Sequence, residues 1–387
     1  MNNSARKKFF PVVAAAIFAV AAPAKEFLVF FGTYTNELSR GIYVSRLAAD
    51  TGKLSAPELA AATPSPCFLA ISPDEKFLYS ANSVNNFSDY AVENGGAVSA
   101  FAVDRTSGKL TLLNQKCSGG IGPCHVSVDV TGKVLFAANY GDGSAKAFLL
   151  ETNGAIGEGG DRVARAGHSV NTNRQTSAHA HFIGADPSNR FALVCDLGTD
   201  EVITYPFDTK AARLQAPRFE VAGVPPGSGA RHLAFSPNGR FSYVLNEMGC
   251  SISRFVLDEK GRLLPWETVS ALPPGVALQD NFTAAEILVH PSGKFVYATI
   301  RGHDSMSVFA ADPDTGRLTF LQNVSAGGSV PRGLGIDPTG RWLIAANQKS
   351  DNAVEFAIDA VTGKLSATGQ NLKIGSPVDV KFVKSNF

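Results

Sequence analysis

One pattern recurs six times along the chain and constrains its architecture more than any other feature. Each copy is a short alternating strand, a turn of Pro, Asp, Asn, Ser or Thr followed by Gly and a basic residue, and an aromatic-rich strand ending in a polar pair. The copies are CFLAISPDEKFLYSANS from Cys67, CHVSVDVTGKVLFAANY from Cys124, HFIGADPSNRFALVCDL from His181, RHLAFSPNGRFSYVLNE from Arg231, AEILVHPSGKFVYATIR from Ala285 and RGLGIDPTGRWLIAANQ from Arg332. A third strand follows each pair, as in GAVSAFAV and SMSVFAAD. A fourth follows a Gly-Lys/Arg-Leu turn at Gly108, Gly316 and Gly363. Four antiparallel strands in a period of roughly 46 to 57 residues predict one propeller blade per repeat.

The ends complete the count. EFLVFFGTYT, from Glu26, matches only the second strand of the pattern, and VDVKFV, from Val378, matches only the first. Pairing them makes a seventh blade from both termini, which closes the ring and removes an exposed sheet edge. The expectation is an all-β, seven-bladed propeller spanning residues 25–387 as one domain.

Residues 1–24 read as a signal peptide outside that fold. Arg6, Lys7 and Lys8 precede an apolar stretch from Phe9 to Val20, and Ala22-Pro23-Ala24 has the form of a cleavage site. About a dozen apolar residues fall short of the roughly 20 that span a bilayer, so no stable membrane insertion is expected after cleavage. Export to the periplasm or the extracellular space is the expected localisation. With a formal net charge of +1 and 18% charged residues, the chain lacks the basic surface that nucleic acid demands. Five cysteines leave at least one unpaired. Cys117 and Cys124 are close enough to bridge a loop in an oxidising compartment, with buried free thiols as the alternative.

Register then identifies one face. The first two strands of a blade form a hairpin, so the start of the first and the end of the second share one end of the central channel. The starting position holds Cys67, Cys124, His181, Arg231, Ala285, Arg332 and Val378 in successive blades. The next holds Phe68, His125, Phe182, His232, Glu286, Gly333 and Asp379. Second strands end in pairs such as Asn139-Tyr140, Asp196-Leu197, Asn246-Glu247, Ile300-Arg301 and Asn347-Gln348. Both groups are expected at the channel mouth. His181, Arg231, Glu247, Arg301 and Arg332 on one ring point to an anion site, the structural alternative being charges that only satisfy one another.

These residue types suit acyl chemistry. His181 is placed as general base, Glu247 to orient it, Arg231 to receive an oxyanion, and Arg301 with Arg332 to hold a phosphate or carboxylate. His125, His179, His232, Asp196, Glu286 and Gln348 are candidate substrate contacts. Cys124 beside His125 resembles a nucleophile pair but reads better as a small packed residue. His179-x-His181 is a possible start of a metal site, without the carboxylate or Cys cluster that would complete one. His303 either supports the site or turns the chain, His290 is placed at the opposite, solvent-facing end, and Arg174 falls in a polar loop with His168, Asn171 and Asn173.

At FGTYT (Phe31–Thr35), SAHAH (ending at His181), DLGTDEV (from Asp196), GARHLAFSPNGRFSYVLNE (from Gly229) and RGHDSMSVF (from Arg301), the chain resembles a propeller lactonase family. That family includes bacterial 6-phosphogluconolactonase and fungal carboxy-muconate lactonising enzyme. The resemblance implies a seven-bladed fold, lactone chemistry without metal or other cofactor, and a catalytic set of His181, Arg231, Arg301 and Glu247. It does not itself separate His179 from His181, whereas register favours His181. The functional expectation is hydrolysis of a small anionic lactone. The alternatives are a non-catalytic exported propeller binding a sugar acid or a partner protein, and reversible lactonisation.

Overall fold

In the computed structural model, which describes residues 26–87, 94–216 and 218–386, every regular element is a β-strand. The signal peptide expected at 1–24 lies outside the described residues. The strands form seven sheets. Blade one joins the two ends of the chain: the C-terminal strand Pro377–Lys384 pairs with Glu26–Thr33, which continues to Gly41–Ala48 and Glu58–Ala62. Blades two to seven begin with inner strands Pro66–Ile71, Pro123–Val128, Ala180–Ala185, Ala230–Phe235, Thr283–Val289 and Pro331–Ile336. Each inner strand packs on that of the next blade, and Pro331–Ile336 packs on Pro377–Lys384 to close the ring.

The aromatic second strands tie neighbouring blades together. Tyr79, Tyr243 and Tyr297 are buried, and their hydroxyls donate to the carbonyls of Gly154, Gly316 and Gly363 in turns of the following blade, at 3.0, 2.9 and 2.9 Å. Gly316 and Gly363 have φ of 69° and 70°, and a Cβ there would fall 2.4 and 2.3 Å from the rings of Phe241 and Phe295. The Gly-Lys/Arg-Leu motif therefore serves conformation and close packing at once. The apolar core lies between blades, as in the cluster joining Tyr243, Leu245 and Ile252 of blade five to Ile287, Val296 and Phe309 of blade six.

One local device recurs where the chain enters the channel. The strand ladder slips at Cys67, Cys124, His181, Arg231 and Arg332, at Ala285–Glu286, and at Val378, so that in all seven inner strands a residue near the start has no ladder partner. In an unbroken strand His181 and Phe182 would face opposite sides. The bulge re-aims the first, and both enter the channel. The rings of His181 and His232 lie 5.1 Å apart, and those of His125 and Phe182 4.5 Å.

Candidate active site

The bulged residues and the second-strand ends enclose a hollow of about 450 Å³ lined by Tyr34, Cys124, Tyr140, Arg174, His181, Glu247, Arg301 and Arg332, among others. His181 and Glu247 thus share the same end of the channel. Glu247 is the hub. It is buried, and its Oε2 accepts from Arg231 Nε at 2.9 Å and pairs with Arg301 Nη2 at 2.9 Å, while Oε1 accepts from Arg174 Nη2 at 2.7 Å. Burial raises its pKa, but the three guanidiniums overcome that and hold the carboxyl well below its ordinary range.

Around this carboxylate stand four guanidinium groups, Arg174, Arg231, Arg301 and Arg332, so the site carries a positive excess that suits an anion. Arg301 and Arg332 face the hollow directly. The Arg332 Nη2 donates to the Tyr34 hydroxyl at 3.2 Å. Arg231 lies beneath the floor, only 2% exposed, and gives Nη1 to the Ala285 carbonyl and to His232 Nε2. Burial and the neighbouring Arg301 and Arg332 lower its pKa to about 10, which still leaves it charged at neutral pH. Its Nη2 has no hydrogen-bond partner among the described residues.

His181 is buried, and burial followed by Arg231 pushes its pKa well below the ordinary 6.5. The ring is neutral at physiological pH and presents a lone pair. Its Nδ1 is buried and has no hydrogen-bond partner among the described residues, which leaves Nε2 as the nitrogen able to meet a water in the hollow. Glu247 does not orient this ring, contrary to the sequence expectation, because its oxygens are taken up by three arginines. What frames His181 instead is packing: Tyr140 meets it edge-on at 5.6 Å and His232 at 5.1 Å.

Most of the expected substrate contacts lie outside the hollow. His125, His232 and Glu286 form a buried layer beneath it. Since arginine only donates, His232 Nε2 accepts from Arg231 and its Nδ1–H is directed to Glu286 Oε1 at 2.9 Å. Phe68 stacks against His125 with centroids 4.2 Å apart, and Lys381 lies 4.3 Å over the Phe68 ring while pairing with Asp379 at 2.6 Å. The second position of each inner strand thus fills the channel rather than the mouth. His179 stacks flat on Tyr140 at 4.4 Å and donates Nδ1–H to the Tyr140 carbonyl at 2.8 Å. Asp196 is a backbone staple, accepting from the amides of His179, Gly198 and Thr199. Gln348 does not line the hollow; its backbone amide donates to the Val330 carbonyl.

Other readings resolve as follows. All five cysteines are free, so Cys117 and Cys124 are not bridged. Burial lifts the Cys124 thiol to about 12, and its S–H is directed at backbone carbonyls, as a packed residue's would be. Among the described residues no cluster of three or more His, Cys, Asp or Glu gathers as for a metal. His303 bonds Ser305 Oγ at 2.6 Å and serves its turn. His290 is at the opposite end but buried, correcting the solvent-facing placement, with Nε2 2.8 Å from the Gly340 carbonyl. The sequence reading missed Arg174, Tyr34 and Tyr140 as site residues. The two tyrosines follow second strands and carried a detectable signal, since other blades lack an aromatic at that step. Arg174 sits in the long connection between two blades, where strand register places no side chain, and carried none.

Known proteins bear on this geometry. The family described as "Lactonase, 7-bladed beta-propeller" matches residues 28–382. The chain is 32% identical over 359 residues to the 6-phosphogluconolactonase of Bacillus subtilis, covering 92% of this chain and 99% of that protein. It is 30% identical over 350 residues to the 6-phosphogluconolactonase of Formosa agariphila, covering 89% and 96%. The structure of the periplasmic gluconolactonase of Pseudomonas aeruginosa superimposes with a TM-score of 0.84 at 31% identity, over 92% of this chain and 99% of that one. With its ring of seven blades and with matches running nearly end to end, the chain belongs to the seven-bladed β-propeller lactonase family.

Proposed function

We propose that the chain hydrolyses an anionic sugar lactone at the channel mouth. The observation that carries this reading is the neutral His181 in a hollow lined by Glu247 and three guanidinium groups, with Arg231 beneath them. Neutral His181 takes a proton from water as the water oxygen bonds to the ring carbonyl carbon. Arg301, which lines the hollow, stabilises the resulting oxyanion, and Arg231 adds its charge from beneath the floor. When the ring C–O bond breaks, the imidazolium returns its proton to the departing ring oxygen, giving an alcohol and a carboxylic acid that loses its proton to solvent. Arg332, with Tyr34, holds the phosphate or carboxylate of the substrate. Glu247 holds Arg174, Arg231 and Arg301 in place, so its role is to position cations rather than to move a proton.

The names of the relatives, 6-phosphogluconolactonase and gluconolactonase, support a sugar-derived lactone as substrate. The test is to follow the opening of 6-phosphogluconolactone and glucono-δ-lactone, corrected for spontaneous hydrolysis, with wild type and His181→Asn. Acceleration by wild type that collapses in the variant is expected. No acceleration of any lactone would leave a sugar-acid-binding propeller, a reading favoured by the lack of a hydrogen bond from His181 Nδ1 to any other described residue.

The pattern of residues 1–24 carries a second part of the proposal, export to the periplasm with cleavage after Ala24. The periplasmic designation of the Pseudomonas aeruginosa relative supports it. Fractionation and N-terminal sequencing of the mature protein test it, with Lys25 as the expected first residue; a cytoplasmic chain beginning at Met1 would overturn it.

A further inference from the structure

A second hollow, of about 560 Å³, lies beside the mouth. It is lined by Asn173, Gln279 and Asp280 on exposed loops, and by Met248 and Leu278. The two hollows share a wall. Arg174 lines both, and consecutive residues Glu247 and Met248 face one each. Arg174 is held from the mouth side by Glu247 at 2.7 Å, and its side chain is 41% exposed at the divide.

The two linings differ in chemistry. The mouth carries excess cations. The lining of the second hollow holds one guanidinium, Arg174, and one carboxylate, Asp280, so no cationic excess selects an anion there. Many loop Asp and Asn side chains are consumed by their own turns, as Asp129 is by the amides of Lys133 and Val134. The side chains of Asn173, Gln279 and Asp280 make no hydrogen bond to another described residue. Amide and carboxylate groups free to bond, facing Met248 and the half-exposed Leu278, match a sugar ring, which has hydroxyls at its edge and C–H groups on its faces.

We infer that this hollow is a subsite for a neutral sugar unit attached to the lactone, so that the substrate class extends to disaccharide aldonolactones. The inference rests on the reading of the mouth as the lactone site. The lactone ring lies against His181 and Arg301, the second unit crosses Arg174, and its hydroxyls bond Asn173, Gln279 and Asp280.

The experiment compares kcat/KM for cellobiono-δ-lactone, maltobiono-δ-lactone and glucono-δ-lactone in wild type and in an Asn173→Ala/Gln279→Ala double variant. Both substitutions are at exposed positions, so the fold is retained. Calorimetric titration with the stable acids cellobionate, maltobionate and gluconate runs in parallel. Wild type is expected to favour at least one disaccharide ligand about tenfold, the gain of one or two net hydrogen bonds, and the double variant to lose most of that ratio. Turnover of glucono-δ-lactone with no disaccharide preference overturns the subsite and leaves the mouth reading intact. If no lactone is turned over while a disaccharide acid binds tighter than gluconate in wild type alone, the subsite stands without the hydrolysis. Equal binding of all the acids with no turnover removes both.

Discussion

Two layers of the central channel contain nearly the same residue types and do opposite work. The upper layer, led by His181, Arg231 and Arg332, surrounds a hollow, whereas the layer one residue further along each inner strand, with His125, His232, Glu286 and Asp379, is closed on itself. In the lower layer the His232–Glu286 and Lys381–Asp379 pairs and the stack of Phe68, His125 and Phe182 occupy the space. In the upper layer His181, Arg301 and Arg332 line open space. A histidine deep in a channel is accessible to a ligand only where the surrounding groups leave room beside it.

The sharpest way to break this comparison is to make the same substitution in each layer. His181→Asn is expected to lower kcat by about 10²–10⁴-fold with KM little changed, the range for losing a general base. His125→Asn is expected to leave kcat within a few-fold and to lower the unfolding midpoint instead. Equal loss of kcat in both would erase the distinction between the layers.

Removing the hub should cost stability as well as rate. Glu247→Gln leaves the buried Arg231 and Arg301 without their counter-ion, and about 3–5 kcal/mol of destabilisation is expected, the range for breaking a buried ion pair from one side. Urea unfolding reads it. An unchanged midpoint would mean that the cations find other partners.

Arg332→Ala probes the anion end of the upper layer. Losing a charge-assisted hydrogen bond is worth about 10- to 100-fold, so KM for 6-phosphogluconolactone should rise by that factor while glucono-δ-lactone is affected far less. A parallel rise for both lactones would argue against Arg332 as the phosphate contact.

The smallest effect is in the pH dependence of stability. His125, His181 and His232 are all held below the ordinary 6.5, first by burial and then by neighbouring charge, chiefly Arg231 for His181 and His232. The unfolded chain therefore takes up protons below pH 6.5 that the folded chain refuses, and stability falls as pH drops through that value. Burial raises Glu286, Asp379 and Asp196, which act with the opposite sign and soften the slope toward the carboxylate range. Replacing His125 by Phe should flatten the urea midpoint against pH between neutrality and 6; an unaltered profile would show that this histidine titrates alike in the folded and unfolded chains.

Much of the fold was legible because the blade motif is a local code. Asp186 accepts from the amides of Arg190 and Phe191 in the turn between its two strands, and Asp337 repeats this with Arg341 and Trp342. Counting such turns counts blades. His181, Glu247, Arg301 and Arg332 were legible as one ring because equivalent strand positions lie at equivalent heights. His125, His232 and Glu286 were assigned to the mouth because a bulge leaves no mark in the alternation of one strand and is visible only against its partner. Arg174 escaped because a loop has no register from which to place its side chain.

The number of blades, the closure of the ring by both termini and the end of the channel at which charge collects were all readable from the residues in order. Those follow from turn chemistry and strand period, which act over a few residues. Only the tertiary structure decided that Glu247 serves arginines rather than His181, and which of two adjacent channel residues meets the hollow. Arg231, Arg301 and Arg174 reach Glu247 from other strands and a loop, and their shared carboxylate exists only once separate blades pack side by side.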